Sequence, residues 1–205
     1  MIKSICAMIL SILCTVNSYG LCVHENGYWI GEDAAKKHVF DEQLAQALGD
    51  FFVKEKAKYV ADFGCGTAEY VQALLDKRIY CEGYDGNPDT PAISNGLAQV
   101  LDLSQPVELL KRYDWVLSLE VGDNIPQELE NVFIENLHRH NIKGIVLSWA
   151  IRGQGGFGHF NERDNDHIKG IMAQYGYWND VAAEKSLRER ASQSWFKNSL
   201  MVFRR

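Results

Sequence analysis

The sequence has 205 residues, 46% hydrophobic and 23% charged, with 21 Lys and Arg against 27 Asp and Glu for a formal charge of −6. Enough apolar residues for one continuous core exclude a disordered chain, a collagen-like repeat and a disulfide miniprotein. The acidic balance argues against nucleic acid as a partner, because gripping a phosphate backbone needs clustered Lys and Arg.

Lys3 precedes an uncharged stretch from Ile5 to Val16, followed by Asn17, Ser18, Tyr19 and Gly20 with small residues at the third-last and last places. This layout predicts a secretory signal peptide over residues 1–20, cleaved after Gly20, and therefore a secreted or extracytoplasmic protein. The stretch is short for a membrane span, which needs about 20 apolar residues. The organisation is then a leader over 1–20 and a single domain over 21–205, with a cap segment and helix over 21–57 and a core over 58–205. Of five cysteines, Cys6 and Cys14 fall in the leader. Cys22, Cys65 and Cys81 have no metal-like spacing, and Cys65 and Cys81 read as buried small hydrophobes.

Phe40, Leu44, Ala47, Leu48 and Phe51 recur at helical spacing, predicting an amphipathic helix over 38–52. Strands follow at Tyr59–Phe63, Ile79–Tyr84, Ala98–Leu101, Tyr113–Leu119 and Gly144–Ala150. Between them lie a helix over Glu69–Lys77 and another beginning at Pro126, where proline suits a first turn. A helix over Asp166–Tyr175 leads to Tyr177-Trp178, a charged segment whose Lys185–Arg190 run forms a solvated face, and a terminal strand over Asn198–Phe203. Apolar strands alternating with helices belong to a sheet covered on both faces. The fold class is α/β: a doubly wound, Rossmann-like, seven-stranded and mostly parallel sheet ending in an antiparallel hairpin.

Such sheets bind ligands beyond the carboxyl ends of their strands. There the first strand runs into Asp62-Phe63-Gly64-Cys65-Gly66-Thr67-Ala68, a tight turn whose backbone can approach a ligand. Asp85, in Asp85-Gly86-Asn87-Pro88, stands 19 residues beyond Gly66, the spacing of an acid that bonds ribose hydroxyls. Asp102-Leu103 follows the third strand and Glu120-Val121-Gly122-Asp123-Asn124-Ile125-Pro126 the fourth.

Together these segments resemble the class I S-adenosylmethionine-dependent methyltransferases, whose first motif runs hydrophobic-hydrophobic-Asp-x-Gly-x-Gly. The resemblance spans Tyr59 to Pro126 and implies S-adenosylmethionine as cofactor. It implies Asp62, Gly64, Cys65, Gly66 and Thr67 as cofactor-binding, with Asp62 facing the ammonium group of the cofactor's amino-acid end. Asp85 falls at the ribose, Asp102 and Leu103 at the adenine, and Glu120 towards the methionine moiety or the acceptor, with Gly86, Asn87 and Val121 also implied as cofactor-binding. Two departures stand out. Ala68 replaces a frequent Gly, and Asp123-Asn124 replaces a common Glu-His, so a histidine base is missing there.

The loop from Trp149 to Asn161 carries four glycines, three large aromatics and His159, and reads as a substrate lid or an ordinary connection. His159 is a candidate general base because imidazole titrates near neutrality, and His38 is a second. Glu120 is either catalytic or a solvated strand-end acid. Tyr28-Trp29 either caps an acceptor pocket or packs the N-terminal segment onto the sheet. The expected activity is methyl transfer to a small molecule. The alternatives are an inactive S-adenosylmethionine-binding or protein-interaction protein with this fold, and a nicotinamide-dependent oxidoreductase, which leaves Asp62, Asp102 and Glu120 without work. No metal site is expected.

Overall fold

The alternation along the chain becomes a single seven-stranded sheet in the computed structural model, which describes residues 14–16 and 22–205. Most of the expected leader lies outside the described residues. Its one described piece, β1 (Cys14–Val16), pairs antiparallel with β2 (Cys22–His24), and β2 pairs with β3 (Trp29–Ile30). A short 3-10 helix over Glu32–Lys37 leads to α1 (Glu42–Lys54). Then come β4 (Tyr59–Phe63), α2 (Glu69–Asp76), β5 (Tyr80–Asp85), α3 (Thr90–Ile93), β6 (Ala98–Val100), β7 (Tyr113–Leu119), α4 (Glu130–His140) and β8 (Asn141–Ser148). The chain closes with α5 (Asn165–Gln174), β9 (Trp178–Asn179), α6 (Val181–Arg190), α7 (Ser194–Ser199) and β10 (Met201–Arg204). Among the described residues no helix is long and apolar enough to cross a membrane.

The strand order is β6-β5-β4-β7-β8-β10-β9, with β4 parallel to both β5 and β7. The direction of winding reverses at β4, so a crevice opens between the ends of β4 and β7. β10 runs antiparallel to both β8 and β9, the expected closing hairpin with its insertion.

Successive strand residues serve opposite faces, and the buried side chains sort accordingly. Trp115, Leu117, Val146 and Val202 pack with Leu48 and Phe52 of α1, Val71 and Leu74 of α2, and Leu187 of α6. Val116, Ile145, Leu147 and Phe203 pack on the other face with Phe133, Ile134 and Leu137 of α4, and Ile168 and Met172 of α5. Each such side chain contributes about 1.5–3 kcal/mol by leaving water, so the sheet is held rigid beneath the loops that rise from it.

Several details depart from the sequence expectation: the terminal strand expected over Asn198–Phe203 begins only at Met201, because Asn198 and Ser199 belong to α7, and the helix expected from Pro126 begins as α4 at Glu130. The first helix starts at Glu42 instead of His38 because Asp41 caps it, accepting the Leu44 N–H at 2.9 Å. The other Asp41 oxygen accepts the Ser192 and Gln193 N–H groups at 2.7 and 2.8 Å, tying α1 to the α6–α7 connection. The charged segment folds as a helix, α6, that exposes Lys185, Glu189 and Arg190 but buries Leu187. A further helix, α7, carries Trp195 and Phe196. Cys65 and Cys81 are free and buried, as expected.

Candidate functional site

The loops at the carboxyl ends of the parallel strands enclose a cavity of about 710 Å³. Asp62 enters it from the carboxyl end of β4, and the chain then bends sharply through Gly64 and Gly66, with φ +88° and +53°. These left-handed positions suit glycine for a second reason: a Cβ on Gly64 would lie 2.2 Å from Val121 Cγ2 and one on Gly66 2.7 Å from the His38 ring. Ala68, where the resembled family often has Gly, also takes a left-handed conformation, φ +64°, just before α2. Cys65 and Thr67 line the cavity with Asp62 and Gly64. Burial pushes the Cys65 thiol up, so it stays neutral.

Asp62 is the electrostatic oddity of the site. It is buried, its Oδ2 has no hydrogen-bond partner, and burial together with the charge of Asp85 pushes its carboxyl up to about 8. A buried carboxyl oxygen without a donor is free to take one from a group brought into the cavity.

Asp85, at the end of β5, accepts the Gly66 N–H at 2.9 Å through Oδ2 and the Asn87 N–H at 2.9 Å through Oδ1. It lines the cavity together with Gly86, over which Tyr28 is laid so closely that a Cβ would lie 2.5 Å from it. Gly66 and Asn87 are not among the lining residues. Asn87 is buried and donates its amide to the Gly31 carbonyl at 3.2 Å, so it anchors the N-terminal segment. Asp102 and Leu103 do line the cavity. Asp102 accepts the Ser104 N–H through Oδ1 and the Asn26 side-chain amide, at 2.7 Å, through Oδ2.

Glu120 directly follows β7 in a left-handed conformation, φ +53°, unusual for a non-glycine residue. Its carboxylate is held by Ser199 Oγ at 2.8 Å and Gln154 Nε2 at 2.6 Å. The acid expected to be either catalytic or solvated is thus fixed between the glycine-rich loop and the end of α7. Val121 lies beside it at the cavity wall.

His38 and His159 both reach the cavity. His38 stacks on Trp29 with ring centroids 4.9 Å apart. Burial lowers its affinity for a proton against the pull of Asp85 and Glu69. His159 approaches from the loop after β8, its Nε2 3.1 Å from Asp123 Oδ2. The loop is shaped around that ring, since a Cβ on Gly156 would lie 2.3 Å from the imidazole. Glu162 fastens the loop by accepting the Gly153 and Gly155 N–H groups at 2.7 Å each. Trp29 meets Phe157 edge-on at 5.8 Å and donates its indole N–H to Asn124 at 3.3 Å. The N-terminal segment and the loop therefore meet over the cavity.

Sequence reasoning passed over Asn26, Asp123 and Ser199. Asp123 appears in the sequence only as a departure from the family pattern, and nothing local pairs it with a residue 36 positions away. No family model matches the chain and no curated protein matches it. Solved structures do. Magnesium protoporphyrin IX methyltransferase from Synechocystis, with bound S-adenosylhomocysteine, superposes with TM-score 0.62 at 18% identity over 80% of this chain and 82% of that one. The sugar N-methyltransferase from Streptoalloteichus gives 0.62 at 13% over 80% and 87%. An amino pentose methyltransferase of calicheamicin biosynthesis from Micromonospora echinaspora, solved with bound S-adenosylmethionine, gives 0.61 at 13% over 83% and 93%.

The chain has the class I S-adenosylmethionine-dependent methyltransferase fold. In a methyltransferase fold the cavity sits at the reversal of strand order, which is where Asp62, Asp85, Asp102 and Glu120 converge here.

Proposed function

We propose that the protein is an S-adenosylmethionine-dependent methyltransferase acting on a small molecule. The observation that carries this reading is the buried Asp62 carboxyl, its Oδ2 without a partner, facing a cavity whose other acids stand at successive strand ends. An ammonium group placed against Asp62 gives it the charge-assisted donor it lacks. Farther along the cavity, Asp85 with Gly86 would hold the ribose and Asp102 with Leu103 the adenine, with Tyr28 closing over the nucleoside side. Bound S-adenosylmethionine supplies an electrophilic methyl on a sulfonium. The chain's own task is then to orient the acceptor, exclude water and take a proton.

Glu120, held by Ser199 and Gln154, marks where the methionine moiety meets the acceptor. His159 is the favoured base and His38 the second candidate. The neighbours that methylate a sugar amine or an amino pentose support a small acceptor. The leader-like residues 1–20 support an exported protein, checked by N-terminal sequencing of the mature chain. Calorimetry with S-adenosylmethionine and S-adenosylhomocysteine should show saturable binding, and no heat at millimolar ligand would overturn the reading. Incubating extracts with the trideuteromethyl cofactor should then give a labelled product; binding without label favours the inactive alternative.

A further inference from the structure

Tyr70 stands in the first turn of α2, close behind the glycine turn, and lines the cavity beside Phe40. The two rings meet edge to face with centroids 5.0 Å apart. One fully buried residue, Asp41, sets this arrangement. Its N–H donates to the Tyr70 hydroxyl oxygen at 3.3 Å, while its carboxylate holds the start of α1 and the Ser192 and Gln193 N–H groups just before α7. α7 then brings Trp195 to the same cavity and, through Ser199, braces Glu120. The His38 ring packs over Gly66 of the glycine turn and stacks on Trp29, which meets Phe157 edge-on. Phe40, Tyr70, Trp195, Trp29 and Phe157 are all half-buried residues of the cavity lining.

The polar side chains among these rings are committed to one another. Thr67 donates its hydroxyl to Glu69 at 2.9 Å, and Asn198 its amide to the Ser194 carbonyl at 3.1 Å. Gln154 is bonded at both ends, donating to Glu120 at 2.6 Å and accepting the Ile151 N–H at 3.3 Å. Each Glu120 oxygen has its donor, Ser199 or Gln154. Besides its histidines, the cations lining the cavity are Lys37 and Arg152, both exposed, and Arg152 pairs with Asp164 at 3.3 Å. Burial pushes the Tyr70 phenol up, so its ring stays neutral. A polyhydroxylated or phosphorylated acceptor would have to break these bonds to replace its partners in water. A flat, mostly apolar ring gives up little hydration and gains edge and face contacts.

We infer that this end of the cavity takes a planar aromatic small molecule, seated against Phe40, Tyr70 and Trp195 beside Glu120. The inference rests on the methyltransferase reading above and deepens it by naming the class of the methyl acceptor.

The test is calorimetry on the full chain with the cofactor end filled by S-adenosylhomocysteine, titrating β-naphthol, its saturated and puckered counterpart β-decalol, and glucosamine. The wild type should bind β-naphthol about tenfold more tightly than β-decalol, the advantage expected of ring-on-ring contact, and should not bind glucosamine detectably. In Trp195→Leu, which keeps apolar bulk, the preference for β-naphthol should shrink by roughly threefold or more. Equal affinity for the two bicyclic alcohols in the wild type would overturn the inference, as would tighter binding of glucosamine, and both results stand whether or not the variant folds. An unchanged preference in a Trp195→Leu protein that still binds S-adenosylhomocysteine would overturn it too. Failure of the wild type to bind S-adenosylhomocysteine overturns the methyltransferase reading instead, so the two failures are distinguishable.

Discussion

The Gly66 N–H donates to Asp85 Oδ2 across 2.9 Å, joining the turn after β4 to the end of β5. The acid proposed above to hold the ribose is therefore also a brace, since its other oxygen holds the Asn87 N–H. Asp85→Ala should weaken S-adenosylhomocysteine binding by roughly 1–3 kcal/mol and also lower stability, because two N–H groups lose a charged acceptor. Calorimetry and thermal melting on the same sample check both. Lost affinity with an unchanged melt would deny Asp85 its bracing role.

Asp62 gives a proton count. Its carboxyl titrates at about 8 in the folded chain against an ordinary 3.8, so between those values the folded state binds more protons than the unfolded. The stability from this group is present below pH 3.8 and is lost as pH rises toward 8. Asp62→Asn should flatten that slope. Near neutrality a cationic ligand pairing with Asp62 should expel about one proton. Calorimetry in two buffers of different ionisation heat reads that release, which should vanish in Asp62→Asn.

Gly64→Ala should cost about 2 kcal/mol or more, from the left-handed backbone and the contact with Val121. That corresponds to a drop of roughly 4–8 °C in Tm. Gly170, inside α5 with nothing within 4 Å of an added Cβ, is the control. Gly170→Ala should stabilise by roughly 0.5–1 kcal/mol. Equal effects at the two positions would contradict the packing of the first motif.

Glu130 anchors the far end of the glycine-rich loop, accepting from Arg163 at 2.7 Å, Asn161 at 2.9 Å and His167 at 3.0 Å. Burial alone would raise its carboxyl, but the bonds from Arg163, His167 and Asn161 outweigh it and hold it below the ordinary 4.5. Its stabilisation is present above that ordinary value and is lost as pH falls through the lower folded one. Glu130→Gln should cost roughly 3 kcal/mol at neutral pH by leaving Arg163 unpaired, and should weaken the acid dependence of unfolding. A variant as stable as the wild type at pH 7 would remove the anchor.

Sheet and first motif were legible in the sequence because their signals are local. An apolar run such as Tyr59–Phe63, bounded by a glycine turn, contains its own boundaries, and β4 and β7 match the expected residues. The acids at the strand ends were legible because topology sends every parallel strand's carboxyl end to one edge. What escaped depends on distant partners. The start of α1 is set by Asp41, which also serves Ser192. Asp123 acquires its meaning from His159, and Glu120 from Ser199, 79 residues away. A short amphipathic piece such as α7 has too few turns to announce itself by periodicity.

The bond from Ser199 to Glu120 has a consequence for synthesis. A ribosome delivers β4 to β8 before it delivers α7 and β10, so a nascent chain can assemble the parallel strands while the wall behind Glu120 is still untranslated. Chains halted before Ser199 would leave that glutamate without one of its two anchors. The wall behind Glu120 is thus completed only after the closing hairpin has emerged, so the early Rossmann-like core carries that edge of the cavity unfinished.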